Sequence, residues 1–125
     1  MNVSEIEPVR WFRITLDHEE SLKESLREFG RDRNIDFAWI QVLGELEGGK
    51  VASGYKSSDF QDGKYLNPVD ENRHVLGVGS LSLTDDGYSV HVHGPMGREE
   101  TTYTGCWAGD PSVFRGVEIL LMEIR

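Results

Sequence analysis

The sequence has little cysteine, no long apolar segment and no targeting signal. Cys106 is the one cysteine among 125 residues, so no disulfide can form within the chain, which fits a reducing compartment. No apolar run reaches the ~18–20 residues that a membrane-spanning helix needs, and residues 1–8 lack the basic start and apolar centre of a secretory signal peptide. We therefore expect a cytoplasmic protein with no membrane partner.

The chain also has few basic residues. It carries 13 lysines and arginines against 22 acidic residues, for a formal net charge of −9. Nucleic acid is a polyanion, and proteins that bind it use clustered lysine and arginine to displace its counterions. Here the basic residues between Lys23 and Arg33 are interleaved with acidic ones, which is typical of a solvated helix face. We expect the isolated chain not to bind nucleic acid.

The common catalytic signatures are missing as well. There is no Gly-x-Ser-x-Gly elbow and no Walker loop, and Gly77-Val78-Gly79 lacks the rest of a dinucleotide fingerprint. The length of 125 residues is near the usual size of one domain, roughly 100–150 residues. We predict a flexible leader over residues 1–9 and a single domain over residues 10–125.

Hydrophobic periodicity predicts that the domain opens with a strand and a helix. Residues 11–16 alternate between polar and apolar types, as a half-buried strand does. Asp17 is the expected N-cap of a helix over residues 18–33, and Asn34 is its expected left-handed C-cap. The apolar stripe of this amphipathic helix consists of Leu22, Leu26 and Phe29.

The rest of the chain is dominated by strand patterns, at residues 35–43, 50–55, 74–84, 88–93, 101–107 and 114–124. Gly48-Gly49 predicts a hairpin between the first two, and Gly94-Pro95 predicts the end of the fourth. The polar connection over residues 56–72 is long enough to be functional or to carry its own structure. The fold class is therefore α+β, with a largely antiparallel sheet and one main amphipathic helix packed on it.

His91 and His93 carry the most concentrated chemistry of the sequence. They are two residues apart in an alternating strand, so their side chains project from the same face. Val90 and Val92 project from the other face, toward the core. Two neighbouring imidazoles can bind one ion of Zn, Cu, Fe or Ni. The alternative is a pair of surface histidines without a role.

Cys106 is the third candidate ligand, since its strand can return beside the two histidines. A thiolate with two imidazoles is a known zinc ligand set that leaves a fourth position for water or substrate. The alternative is that Cys106 is a small buried hydrophobe. His74 could line the same face, whereas His18 is expected at the surface. Glu45 and Glu99 are the candidate general bases if a metal is catalytic.

With His91-Val92-His93 followed by Gly105-Cys106-Trp107, the chain resembles the plants-and-prokaryotes-conserved (PPC) domain family, also called the AT-hook-associated domain of unknown function. The resemblance runs from about Arg10 to the C-terminus. It includes Val42-Leu43-Gly44 after the helix and Val117-Glu118-Ile119 in the closing strand. It implies an α+β fold with one main helix against a largely antiparallel sheet, assembled as a homotrimer.

The resemblance also implies a metal site. Prokaryotic members of the family have a His-x-His pattern followed by Gly-Gly-His, and these three histidines can hold zinc. The pattern carries over to His91, His93 and Cys106, with Thr104-Gly105-Cys106 in place of Gly-Gly-His. Because cysteine is a competent zinc ligand, the change leaves two alternatives, a zinc site of altered charge or a lost site.

Three functions follow from these residues. The first is a homotrimer with a zinc-type site, which could hydrolyse a small molecule if the metal activates water. The second is a metal-free oligomeric scaffold or protein-interaction module. The third is DNA binding, a label often given to the family. Similar plant proteins carry a basic AT-hook, and this chain has no Arg-Gly-Arg-Pro element, so the label does not carry over.

Overall fold

The computed structural model describes all 125 residues and contains one helix and one eight-stranded sheet. The helix is α1 (Leu22–Arg33), and the strands are β1 (Pro8–Asp17), β2 (Phe37–Glu47), β3 (Lys50–Tyr55), β4 (Lys64–Pro68), β5 (Arg73–Thr84), β6 (Gly87–Arg98), β7 (Thr101–Ala108) and β8 (Ser112–Ile124). Every pair of neighbouring strands is antiparallel, in the order β1-β8-β2-β5-β6-β7-β3-β4. The α+β prediction is confirmed.

Alternating burial divides the sheet into an inner and an outer face. On β2, Ala38, Ile40 and Val42 are buried, while the residues between them are exposed. On β8, Val117, Ile119 and Leu121 are buried in the same core. Helix α1 covers this inner face beside β5 and β6 and buries Leu22 and Leu26. Each such side chain contributes roughly 1.5–3 kcal/mol by leaving water.

The helix begins four residues later than predicted. Asp17 is not its N-cap, because β1 extends to that residue and pairs it with Gly116 of β8. Ser21 takes the capping position instead, and its side chain accepts a hydrogen bond from the amide of Glu24 at 3.3 Å. The predicted C-cap is correct, since Asn34 has left-handed dihedrals. The periodicity of the sequence correctly located the helix, but the pairing of β1 with β8 determines where the helix begins.

The predicted hairpin between β2 and β3 is wrong. Both edges of β2 are already occupied, by β5 and by β8, so β3 pairs with β4 and β7 instead. Gly48-Gly49 therefore carries the chain from the third to the seventh position of the sheet. A two-residue connection can span these positions only if the sheet curls strongly. The amide of Gly48 donates to Val69 at 2.8 Å, and the amide of Val69 donates to Gly49 at 3.0 Å.

The predicted strand end at Gly94-Pro95 is also wrong, since β6 continues to Arg98. Pro95 pairs with Thr104 of β7, but the pairing with β5 passes from Met96 directly to His93. The two residues between them have no register partner on β5. Because proline lacks an amide hydrogen, it is tolerated at such an irregularity in the ladder.

The long connection over residues 56–72 carries structure of its own, including β4 and a short 3₁₀ turn at Phe60–Asp62. At the N-terminus, β1 begins at Pro8, inside the segment expected to be a leader. The backbone of Glu7 exchanges hydrogen bonds with Arg125 at 2.7 and 2.9 Å, which extends the pairing with β8. Flexibility of the residues before it stays a prediction. No helix is long and apolar enough to cross a membrane.

Candidate metal centre

Strand register brings the three candidate ligands together on the outer face of the sheet. His93 on β6 lies directly opposite Cys106 on β7, and Cys106 in turn lies opposite Ala52 on β3. Side chains opposite each other in antiparallel strands have Cβ atoms about 4.5–5.5 Å apart. The expectation that the Cys106 strand returns beside the two histidines is therefore confirmed.

The ligand atoms of the three side chains converge. The Nε2 atoms of His91 and His93 are 2.8 Å apart, and the potential ligand atoms of His91, His93 and Cys106 all lie within 4.8 Å of one another. Val90 and Val92 are buried on the opposite face, as predicted. The buried valines thus anchor β6 on the inner face, and the alternation of the strand directs both imidazoles to one point on the outer face.

This donor set fits a zinc-type ion. Zinc binds imidazole nitrogen at roughly 2.0–2.1 Å and thiolate sulfur at roughly 2.3 Å, usually in a tetrahedron. Three donors within 4.8 Å of one another can surround such an ion with small side-chain rotations. Because they supply three positions of the four, a fourth remains for water or another ligand, as in catalytic zinc sites rather than closed structural ones.

The surroundings favour the neutral, metal-binding form of the imidazole. Partial burial lowers the pKa of His91, and the positive charges of His93, Lys23 and Lys64 lower it further. Since a metal binds only neutral imidazole, these effects leave the ring available at lower pH than an isolated histidine. Burial also lowers the pKa of Lys23, whose Nζ donates to the carbonyl oxygen of Trp107 at 2.7 Å.

The residues on either side of Cys106 hold it in place. Gly105 has a φ of +152°, and a Cβ atom there would lie 2.0 Å from the carbonyl oxygen of Ala52, so only glycine allows β7 and β3 to approach this closely. On the other side, the Trp107 ring is fully buried, and its Nε1 donates to Gly94 at 3.0 Å. The thiol is thus attached to a backbone segment that is fixed at both ends.

The three donors line a cavity of about 410 Å³. Its other polar side chains come from the neighbouring strands and are Ser53, Tyr55, Lys64 and Thr104. Sequence reasoning missed Ser53, Tyr55 and Lys64. These residues lie on β3 and at the start of β4, and only the pairing of β3 with β7 and with β4 brings them to the site.

The remaining candidates lie elsewhere. His74 is on β5 opposite Glu45, with Nδ1 and Oε1 4.0 Å apart, and is not part of the ligand cluster. His18 is largely exposed, as expected, and its Nδ1 accepts from the amide of Arg115 at 2.9 Å. Neither Glu45 nor Glu99 lines the cavity. The two proposed general bases therefore do not face the candidate metal position.

Several solved structures have the same fold as this chain. A metal-containing protein from Archaeoglobus fulgidus is similar, with a TM-score of 0.84 and 22% identity, covering 99% of this chain and 86% of that one. A plant- and prokaryote-conserved protein from Pyrococcus horikoshii has a TM-score of 0.84 and 23% identity, covering 100% of this chain and 85% of that one. A comparison with curated proteins finds no match.

The comparison with family models agrees with the sequence motifs. The model of the Plants and Prokaryotes Conserved (PCC) domain matches residues 3–125, which is nearly the whole chain. The matched range contains the helix, all eight strands and the His91, His93 and Cys106 cluster. The chain therefore belongs to the Plants and Prokaryotes Conserved (PCC) domain family.

Proposed function

We propose that this protein is a homotrimeric metal-binding protein that holds zinc, or a chemically similar divalent ion, through His91, His93 and Cys106. The observation that carries the proposal is the convergence of two imidazoles and a thiol within 4.8 Å at the wall of a cavity. The metal-containing protein from Archaeoglobus fulgidus, which has the same fold, supports it.

The site is better suited to binding a small molecule than to hydrolysing one. A bound zinc ion with an open position can polarise a ligand or lower the pKa of a bound water toward about 7. However, the cavity has no carboxylate in its lining that could act as a general base. The thiolate of Cys106 also adds a negative charge that a third histidine would not supply, which weakens the metal as a Lewis acid.

Cobalt substitution tests the ligand set directly. Titration of the metal-free protein with Co²⁺ is expected to produce a thiolate-to-cobalt charge-transfer band in the near ultraviolet that saturates at one ion per chain. The Cys106→Ser variant should lose this band, because the hydroxyl is a poor donor. Binding of cobalt by the native chain without the band would remove Cys106 from the ligand set.

The outer face of the sheet supports the trimer. It carries exposed apolar side chains on four adjacent strands, which we call the apolar outer face: Trp11, Trp39, Leu43, Leu76, Val78 and Leu120. Register makes them neighbours, since Leu43 pairs with Leu76 and Gln41 lies between Val78 and Leu120. Monomeric proteins rarely leave such a contiguous patch in water. We propose that two further copies of the chain cover it.

A charge placed in the apolar outer face is expected to break the assembly. The native chain of 14.1 kDa should sediment as a trimer, and Leu76→Asp should shift it to the monomer, because burying an unpaired carboxylate is costly. Leu66→Asp is the matched control, since Leu66 is similarly exposed but lies on the distant edge strand β4. A native chain that sediments as a monomer would contradict the proposal.

Charge does not support nucleic-acid binding. The net charge is −9, and the basic side chains of α1 are partly neutralised within the helix. Arg27 and Arg31 contact the carboxylate of Glu24 at 3.4 and 2.8 Å. Arg27 and Arg31 are therefore not free to displace the counterions of DNA.

A further inference from the structure

The cavity beside His91, His93 and Cys106 is lined by basic but not by acidic side chains, which is unusual for this protein. Although 22 of the 125 residues are acidic, none of them lines the cavity. Its one lysine, Lys64, has no carboxylate within 4.0 Å. The Lys64 ammonium group instead lies 5.2 Å from the centre of the Tyr55 ring. An uncompensated cation therefore faces the cavity in an otherwise acidic chain.

The metal proposed above would add to this positive charge. A divalent ion bound by one thiolate and two neutral imidazoles carries a net charge of +1, and the Lys64 ammonium group raises the total in the cavity to +2. Field lines from like charges are focused in a concave site with low-dielectric walls. A site of this kind attracts anions and disfavours cations.

Hydrogen-bond donors complete the lining. The Oγ atom of Ser53 accepts a hydrogen bond from Nδ2 of Asn67 at 2.9 Å. This contact occupies a lone pair of the hydroxyl and leaves its hydrogen free to be donated. Thr104 supplies a second hydroxyl to the same cavity. The cavity thus offers an ammonium group and hydroxyl donors, which is the set that carboxylate and phosphate oxygens require.

The hairpin between β3 and β4 gives the cavity its shape. Tyr55 and Lys64 are register partners at the two ends of the connection over residues 56–63. Phe60, within that connection, packs edge-on against Tyr55 with ring centres 6.4 Å apart. Tyr55 therefore forms an aromatic wall next to the cation, and Phe60 of the connection supports it. The volume of about 410 Å³ lies within the range of small-molecule sites, roughly 300–1,000 Å³.

We propose that the cavity binds a small organic anion, whose carboxylate or phosphate group pairs with Lys64 and occupies the open position beside His91, His93 and Cys106. The apolar part of the ligand lies against the Tyr55 ring. This inference rests on the proposed metal site and adds the chemical class of its ligand. It also assigns a role to the long 56–72 connection, which supplies the cation, Lys64, and supports the Tyr55 ring through Phe60.

The test uses the full-length protein loaded with cobalt, in a buffer without coordinating anions. Cobalt stoichiometry is measured first, and acetate and inorganic phosphate are then titrated separately while the visible absorption bands of cobalt are recorded. We expect at least one anion to shift the bands with saturation. Lys64→Met should lower the affinity for that anion by roughly tenfold or more without changing cobalt stoichiometry. Lys50→Met is the control and should leave the anion affinity unchanged, because Lys50 is exposed and lies outside the cavity.

The outcomes separate the two proposals. A response to acetate alone identifies a carboxylate ligand, a response to phosphate alone identifies a phosphate ligand, and both results support the inference. A 1:1 cobalt complex that responds to neither anion overturns it, as does equal anion affinity in Lys64→Met and the native chain, while the metal site stands. Failure of cobalt to bind overturns the proposed function and this inference with it.

Discussion

Replacing His91 with alanine is expected to reduce zinc affinity by about 100-fold or more. The loss of groups that merely orient a metal ligand already costs roughly 10–100-fold, and His91 is one of only three protein donors at the cluster. A 100-fold loss corresponds to about 2.7 kcal/mol of binding free energy. Competition with a chromophoric zinc chelator measures it. Cys106→Ala should cause a loss of similar size.

His74→Ala is the matched control for this experiment. His74 lies on the neighbouring strand β5 and is exposed, but it is outside the ligand cluster, so its removal should leave zinc affinity unchanged. Cys106→His restores the histidine of the family pattern and is expected to keep tight binding. Equal zinc affinity in His91→Ala, His74→Ala and the native chain would show that the metal does not bind at this cluster.

Replacing Trp107 with alanine is expected to lower the free energy of unfolding by roughly 3–5 kcal/mol, the usual cost of truncating a buried tryptophan. Trp107 is the largest fully buried side chain. Its ring packs directly against Gly77, where a Cβ atom would be 2.5 Å from it, so Gly77 has no side chain that could fill the void. Urea unfolding at a fixed protein concentration measures the change, since assembly makes stability concentration-dependent.

Trp107→Phe separates the contribution of volume from that of the hydrogen bond. Phenylalanine keeps most of the apolar ring but cannot donate to the carbonyl oxygen of Gly94, which Nε1 of Trp107 contacts at 3.0 Å. We expect a loss of about 1–2 kcal/mol for this variant, from the missing bond and the smaller ring. If the phenylalanine and alanine variants were equally unstable, the hydrogen bond rather than packing would be the main contribution.

The parts of the fold that depend on local periodicity could be predicted from the sequence. The alternation from Val90 to His93 correctly indicated which side chains are buried and which point outward, because a strand has a strict period of two. The burial of Leu22 and Leu26 followed in the same way from helical spacing. The strand pattern suggested that Cys106 returns beside His91 and His93, and the resemblance to the PPC family placed Cys106 at the position of the third histidine.

The parts of the fold that depend on pairing between distant strands could not be predicted from the sequence. Gly48-Gly49 has the local chemistry of a hairpin, but β5 and β8 occupy both edges of β2, and no local signal reveals that competition. The same limitation hid Lys64 and Tyr55, which reach the cavity only because β3 pairs with β7 and β4. The cavity was therefore missed although three of its residues, His91, His93 and Cys106, were identified.

The exchange of histidine for cysteine at position 106 bears on what the site can do. A thiolate would keep the donor count of the proposed site at three but make a bound metal less positive, which favours tight retention of a soft ion over activation of water. The absence of carboxylates from the cavity lining is consistent with a ligand-binding site. In the proposed complex, Lys64 would supply positive charge that the thiolate removes.

The most direct test of the metal site is elemental analysis of the purified, untagged protein, prepared without added metal and without chelator. We expect close to one zinc ion per chain as purified. If the protein loses metal during purification, the same stoichiometry should be reached after incubation with zinc followed by dialysis. Metal well below that stoichiometry, and unchanged by incubation with zinc, would contradict the proposed function. The cluster of His91, His93 and Cys106 would then be a lost site, and the scaffold interpretation would take its place.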